Sequence, residues 1–508
     1  MYLAFPLLIA LGFLNHALDP DFGWHLLLGK EMVEKKTLIS NYVGYGFFHD
    51  LKVGDHQWLS DILLYLGYNK FGYLFLEVFF LFILALTFFL MQRVMIRRKI
   101  SSSSAQSALI LLVLAVLPFY GVRLQVFIWL GVALIFYIHD FYQSRKRRFF
   151  RYFLLLMIGG NLHSGFLFLI PVTLFLEAEE GTSIKETIML NYRHLLLLFF
   201  VGLTALSLNP NLLGSWHFIL NLSTNRYYET HISEWLPIYF APPFFPFEQL
   251  IPLALIIFCF LMTKFWKKTG AFSLIMIVVY LILGVKSRRN FPLFMLVTLP
   301  FFGQAVDSLF KKIVSPGKIL RSFSVIASLL LLLLFGTNIL RRIDNEHVNL
   351  QPSTDKLDSV ANGYPIGAAK YLIEHPLEQG NIFNPYNWGG YLVWRVPNLK
   401  IFIDGRAPQY LVEEKRSMLE EYDLFFSADD QKVKSQLAKY NIKRVIAEKT
   451  LPVKYDPINL FFAQLSFTND EITKMTNPKN TLLLTVETDD SWQKVYEDNI
   501  SAIYDKIP

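Results

Sequence analysis

A succession of apolar stretches limits what this chain can become more than any motif does. They lie at 2–18, 72–91, 105–120, 126–142, 149–158, 166–176, 195–208, 250–262, 271–285, 291–306 and 322–340. A bilayer span needs about 17 to 25 mostly apolar residues, and most of these stretches approach that length with short polar connections between them. Of the 508 residues 53% are hydrophobic and 18% charged, and the mean hydropathy is +0.37, above what a water-soluble domain carries. The expected fold is a polytopic α-helical membrane protein of about 11 transmembrane helices.

Charge orients the helices. The net charge is +7, but the cations gather in short runs between apolar stretches, as in cytoplasmic loops; this argues against a nucleic-acid partner. Counting the short stretches 149–158 and 166–176 as two spans puts Arg93, Arg97, Arg98, Lys99, then Arg145 to Arg148, then Lys264, Lys267, Lys268, then Lys311, Lys312, Lys318 on one side, as the positive-inside rule requires. The N-terminus is then cytoplasmic, and 2–18, which lacks a basic leader and a small-residue cleavage site, is an uncleaved first helix. The outer face receives 19–71, a turn at Arg123, the tip "GGNLHSG", the loop 209–249, the turn "KSRRN" and everything after about Arg341. Cys259, the only cysteine, lies in an apolar stretch, which leaves no disulfide framework and no thiolate metal site. The serine run 101–104 is expected to be a flexible inner loop.

From about 344 the composition becomes that of a soluble domain. "GAAKYLIEH" and "DDQKVKSQLAKY" have helical character; "KIFIDG", "NIKRVIAEK", "NTLLLTVET" and "KVYEDNISAIY" have the character of strands. The expected division is a transmembrane domain over 1–343, carrying the outer loops 19–71 and 209–249, and an extracytoplasmic α/β domain over 344–508. No glycine-rich phosphate loop follows a strand.

The polar residues of the outer face are the candidates for chemistry. Asp19 and Asp21 sit at the end of the first apolar stretch, where a partly desolvated carboxylate can serve as a base or hold a cation; alternatively they cap the next helix. Trp24 and His25 follow at once, and "WHLLLGKEMVEKK" has the pattern of a helix lying along the interface. Arg123, Arg288 and Arg289 are outer-face cations that the positive-inside rule disfavours; either they bind a phosphate through their guanidinium groups or they pair with loop carboxylates. His163 caps the tip "GGNLHSG", and "STNRYYETHISEWLP" contributes Glu229, His231, Glu234 and Trp235. Asp19, Glu234 and His231 are of the right types for a divalent cation, Mg2+ or Mn2+, beside a phosphate. In "NWGGYLVWRVPNLKIFIDGR", Trp388, Gly389, Gly390, Asp404 and Arg406 suit a substrate-supporting surface, or a tight turn held by an Asp404–Arg406 pair.

These motifs carry a resemblance. An acidic motif after the first transmembrane helix, many helices and a C-terminal extracytoplasmic domain are similar to the GT-C class of membrane glycosyltransferases. "DPDFGWHLLLGK", "GGNLHSG", "SEWLP", "SRRNFPLF" and "WGGYLVWRVPNLKIFIDGR" resemble a bacterial group within that class, over most of the chain, with distant similarity to oligosaccharyltransferase catalytic subunits and protein mannosyltransferases. "NWGGYLVW" resembles the Trp-Trp-Asp-Tyr-Gly motif of the former but has Asn387 in place of the first Trp and Gly389 in place of the Asp, which argues against protein N-glycosylation. The resemblance implies a polyprenyl-phosphate-linked sugar donor and a glycan, lipid or protein acceptor at the outer face of a bacterial inner membrane. It further implies that one of Asp21 and Asp19 is the general base and that Arg288 and Arg289 hold the donor phosphate. The rival functions are a polysaccharide or O-antigen polymerase or ligase, and a transporter of lipid or solute.

Overall fold

The computed structural model describes residues 18–38, 56–116, 119–178, 184–210, 216, 226–236, 270–311, 363–407, 411–413, 416–449, 464, 469 and 480–507. Contacts divide the chain into two compact units. The first comprises Met1–His16, Leu74–Ser215 and Glu229–Gln351, and the second Ala17–Tyr73, Trp216–Tyr228 and Pro352–Pro508. This grouping differs from the division expected at 343, because residues 17–73 belong with the C-terminal region. The expected spans at 2–18, 250–262 and 322–340, with Cys259, lie outside the described residues.

The second unit begins with α1 (Phe22–Lys35) and α2 (Trp58–Phe71). α1 buries Phe22, Trp24, His25, Leu26, Leu28 and Met32 within the protein. Its apolar face is therefore packed against protein, where the sequence pattern suggested a membrane surface. Gly29 explains how close the helices come: a Cβ there would lie 2.1 Å from the Asp61 carbonyl oxygen of α2.

The first unit is helical: α3 (Tyr73–Arg97), α4 (Ser102–Val116), α5 (Gln125–Phe141), α6 (Arg145–Leu162), α7 (Leu169–Ala178), α8 (Ile184–Ser207), α9 (Ala271–Lys286) and α10 (Phe291–Phe310). Each meets one of the remaining expected spans, and the short pair forms two helices joined by a 3-10 turn at Ser164–Phe168. That hairpin closes at both ends. At its tip Gly159 leaves room for the Phe166 ring, which a Cβ would meet at 2.0 Å. At its base Arg148 Nε and Nη2 donate to the two Glu177 oxygens at 2.6 and 2.7 Å. The serine run is not a loop: α4 starts at Ser102, and Ser101 N and Ser104 Oγ both donate to Asp307 Oδ1 at 3.1 Å. A serine hydroxyl is a good helix-capping group, and a buried carboxylate completes the cap. Among the described residues two stretches, Tyr73–Arg97 and Arg288–Leu309, are long and apolar enough to cross a membrane. Leu74, Val78 and Phe82, one helical face of α3, are 55–63% exposed.

The C-terminal part of the second unit carries α11 (Ile366–Glu374), β1 (Asn381–Phe383), α12 (Gly389–Arg395), β2 (Leu411–Glu413), β3 (Arg416–Ser417), α13 (Met418–Asp423), α14 (Asp430–Lys439), β4 (Ile442–Glu448), α15 (Thr481–Thr488), β5 (Trp492–Glu497) and β6 (Ser501–Lys506). The main sheet has the order β1-β4-β6-β5, with β1 and β4 parallel and the other pairs antiparallel. Arg444 faces Asp505 across β4 and β6, and the two are joined at 2.6 and 2.7 Å. Two expected strands have other structures. "NTLLLTVET" is α15, whose buried Leu482, Thr485 and Val486 follow helical spacing and whose cap is Asn480 Oδ1, accepting from Leu483 N at 3.1 Å. "KIFIDG" forms a single bridge at Ile401, because the Phe402 amide donates to the Asn384 side chain at 2.8 Å.

Candidate active site

The second unit brings together two motifs that lie far apart in sequence. "DPDFGW" enters α1 and "WGGYLVW" forms α12, and glycines set their separation. A Cβ on Gly390 would lie 2.1 Å from the Pro20 carbonyl oxygen, one on Gly23 would lie 1.9 Å from the Gly390 carbonyl oxygen, and one on Gly405 would lie 1.7 Å from Asp21 Oδ1. Only backbone without side chains permits these approaches. The Asp21 carboxylate thus rests against the "DGR" turn.

Asp21 is half-buried and held from two directions. Its backbone N–H donates to Asp19 Oδ1 at 2.9 Å, and Trp24 Nε1 donates to its Oδ1 at 3.0 Å. Trp24 is buried, its ring lies tilted against that of His25 with centroids 3.6 Å apart, and the Arg406 guanidinium carbon lies 5.7 Å from the ring. Arg406 is fully buried and held in a fork by Asp404, with Nη2 to Oδ2 at 2.6 Å and Nε to both oxygens at 3.1 Å. The expected Asp404–Arg406 turn is therefore present, and it is packed under Trp24. Trp388, Gly389 and Gly390 are buried. One residue here has no counterpart among the sequence candidates: Asp61 of α2, fully buried, lies 2.5 Å from His25 Nδ1. Its only signal is an acid near the start of an otherwise apolar helix.

The first unit holds the second group of candidates. The 3-10 turns Ser233–Trp235 and Arg288–Asn290 are tied together by Arg288 N donating to Leu236 O at 3.0 Å and Ser287 Oγ to Glu234 O at 3.4 Å. Glu234 accepts a short hydrogen bond from Arg123 Nη1, and Arg289 Nη1 lies 3.9 Å from its other oxygen. Burial by itself would raise the Glu234 carboxyl, but the Arg123 and Arg289 charges outweigh it and hold it below the usual carboxylate range. Two of the three arginines therefore pair with a loop carboxylate. Arg288, whose N–H makes the tie to Leu236, is itself buried. Trp235 is half-buried and His231 exposed; the Glu229 side chain lies outside the described residues. His163 Nδ1 accepts from Gly165 N at 2.8 Å, which is a turn-capping role.

A divalent cation does not fit these residues. Glu234, the strongest anionic candidate, is already neutralised by two guanidinium groups, which compete with any metal for its lone pairs. Among the described residues no group of three or more His, Cys, Asp or Glu side chains is arranged to hold one.

No family model matches the chain, and no curated protein matches it. Among solved structures it is similar to the oligosaccharyltransferase of Archaeoglobus fulgidus in the apo form, at 11% identity and a TM-score of 0.48, over 88% of this chain and 70% of that one. It is also similar to the archaeal oligosaccharyltransferase AglB from the same organism in complex with an inhibitory peptide and a dolichol-phosphate, at 12% identity and 0.41, over 88% and 69%. A third likeness is to the Archaeoglobus fulgidus enzyme tethered with an acceptor peptide, at 13% identity and 0.38, over 100% and 75%.

Proposed function

We propose that the chain is a multi-pass membrane glycosyltransferase of the GT-C type, which moves a sugar from a polyprenyl-phosphate-linked donor to an acceptor hydroxyl at the extracytoplasmic face of a bacterial inner membrane. The observation that carries this reading is the half-buried Asp21 carboxylate, set against the Gly405 backbone and fixed by Asp19 and Trp24. A general base must be accessible to the acceptor and still be held in one orientation. The membrane location is supported by the apolar exposed face of α3, which water would leave uncompensated.

In the reaction Asp21 takes the proton of the acceptor hydroxyl as its oxygen forms a bond to the sugar's anomeric carbon. The bond from that carbon to the phosphate oxygen breaks, and the electron pair leaves with the polyprenyl phosphate. Asp19 positions Asp21 through the backbone N–H.

The test is transfer from a radiolabelled polyprenyl-phosphate sugar by purified protein. Asp21→Asn is expected to lower the rate by at least 100-fold, the usual scale for loss of a positioned base, and Asp19→Asn by less. Full transfer by a folded Asp21→Asn protein overturns the assignment, and solute or lipid movement across sealed vesicles without a glycosidic product overturns the enzyme reading.

A further inference from the structure

Trp24 and His25 are neighbours on α1, and adjacent helical side chains point away from one another. Their rings nonetheless meet, tilted, with centroids 3.6 Å apart and 33° between planes. What holds the imidazole under the indole is Asp61: its Oδ1 lies 2.5 Å from His25 Nδ1, with both side chains buried. A carboxylate on one ring nitrogen fixes the tautomer and the plane of an imidazole. The indole resting on that plane then directs Nε1 at Asp21 Oδ1, and the Arg406 guanidinium, locked by Asp404, lies 5.7 Å from the same indole. Packing α1 on α2 does not require this contact, because Gly29 already brings the two backbones together.

We infer that Asp61 and His25 are positioning residues for Asp21, acting through Trp24. This rests on Asp21 being the base. The carboxylate oxygen that receives the proton is presented in one orientation because a chain of contacts runs from the buried Asp61 to the half-buried Asp21: acid to imidazole, imidazole to indole, indole N–H to acid.

The full chain labelled with 5-fluorotryptophan tests this directly. The Trp24 line among the nine tryptophans is identified by its loss in Trp24→Phe. Asp61→Asn, a near-isosteric change, is expected to shift the Trp24 19F line, as is Asp21→Asn, while the other lines stay in place. Asp61→Asn also lowers kcat for transfer about tenfold, the scale of a lost outer-shell partner, with KM little changed, and has no further effect in the Asp21→Asn background. An unmoved Trp24 line, or losses in Asp61→Asn and Asp21→Asn that multiply, overturns the inference. If Asp61→Asn does not fold, Trp24→Phe, which keeps an aromatic ring in the slot, carries the kinetic test with the same expected loss and the same lack of effect in Asp21→Asn. A shifted Trp24 line together with full transfer by Asp21→Asn leaves the positioning chain standing and removes Asp21 as base, so the two failures are told apart.

Discussion

Gly390 and Gly405 are the positions at which a single methyl group decides the geometry of Asp21. A Cβ on Gly405 would displace the carboxylate itself, and one on Gly390 would push against the Pro20 carbonyl. Gly390→Ala is expected to destabilise the protein by about 1–3 kcal/mol, the range for overpacking a filled core, read as a lowered unfolding midpoint in detergent. Gly405→Ala is expected to cost more in kcat than in stability, since the atom it meets belongs to the proposed base. The sequence pointed to Gly390, and to Asp404 with Arg406 as a pair, but not to Gly405. It did not point to Asp61, because a lone acid on an apolar helix acquires meaning only when another helix brings His25 to it. Nor did it choose between the two fates of Arg123 and Arg289: pairing with Glu234 depends on two turns distant in sequence being hydrogen-bonded together.

Elements show where patterns mislead. "NTLLLTVET" reads as a strand because β-branched and apolar residues crowd it, but Asn480 caps the first turn and the Thr485 and Thr488 hydroxyls bond back to the carbonyls four residues earlier. Asn480→Ala is expected to cost about 1 kcal/mol, the usual value of an N-cap side chain, measurable in a urea titration. α13 and α14 are joined by Glu421, fully buried, which accepts from Arg416 Nη1 at 2.8 Å, Lys439 Nζ at 3.1 Å and Tyr440 Oη at 2.9 Å. Burial pushes this carboxyl up, but those three bonds outweigh it and hold it below the usual range. A carboxyl depressed in the folded state contributes stability that is complete above its unfolded pKa and disappears as pH falls through the folded one. Acidification below about pH 4.3, the ordinary value for Glu, is therefore expected to weaken wild type more steeply than Glu421→Gln. At pH 7 that substitution costs about 2 kcal/mol, less than for a fully buried pair because Arg416 and Lys439 keep access to water. Unfolding midpoints from pH 7 to 3 check both statements.

At the scale of the whole molecule, the expected topology makes a prediction of its own. A reporter enzyme that works only outside the cytoplasm, fused after Arg341, is expected to be active, and the same reporter after Lys99 inactive; the reverse result would invert the face assigned to every polar loop. Within the first unit the polar groups already separate along the helices. Asp140 near the end of α5 bonds Arg98 at 2.7 and 2.9 Å, while Arg123, just before its start, bonds Glu234. The length of α5, about 25 Å at 1.5 Å per residue, lies between them. Apolar periodicity and the placement of cations determine that pattern locally, so the sequence by itself determined the apolar helices of the first unit among the described residues, and their order. Only the tertiary structure decided that residues 17–73 belong with the C-terminal region, that Asp61 stands behind His25, and that "DPDF" rests against "WGG" and "DGR". Those are contacts between residues tens to hundreds of positions apart, chosen by which glycines let two backbones touch and which buried polar atoms can satisfy each other, and neither choice leaves a periodic trace along the chain.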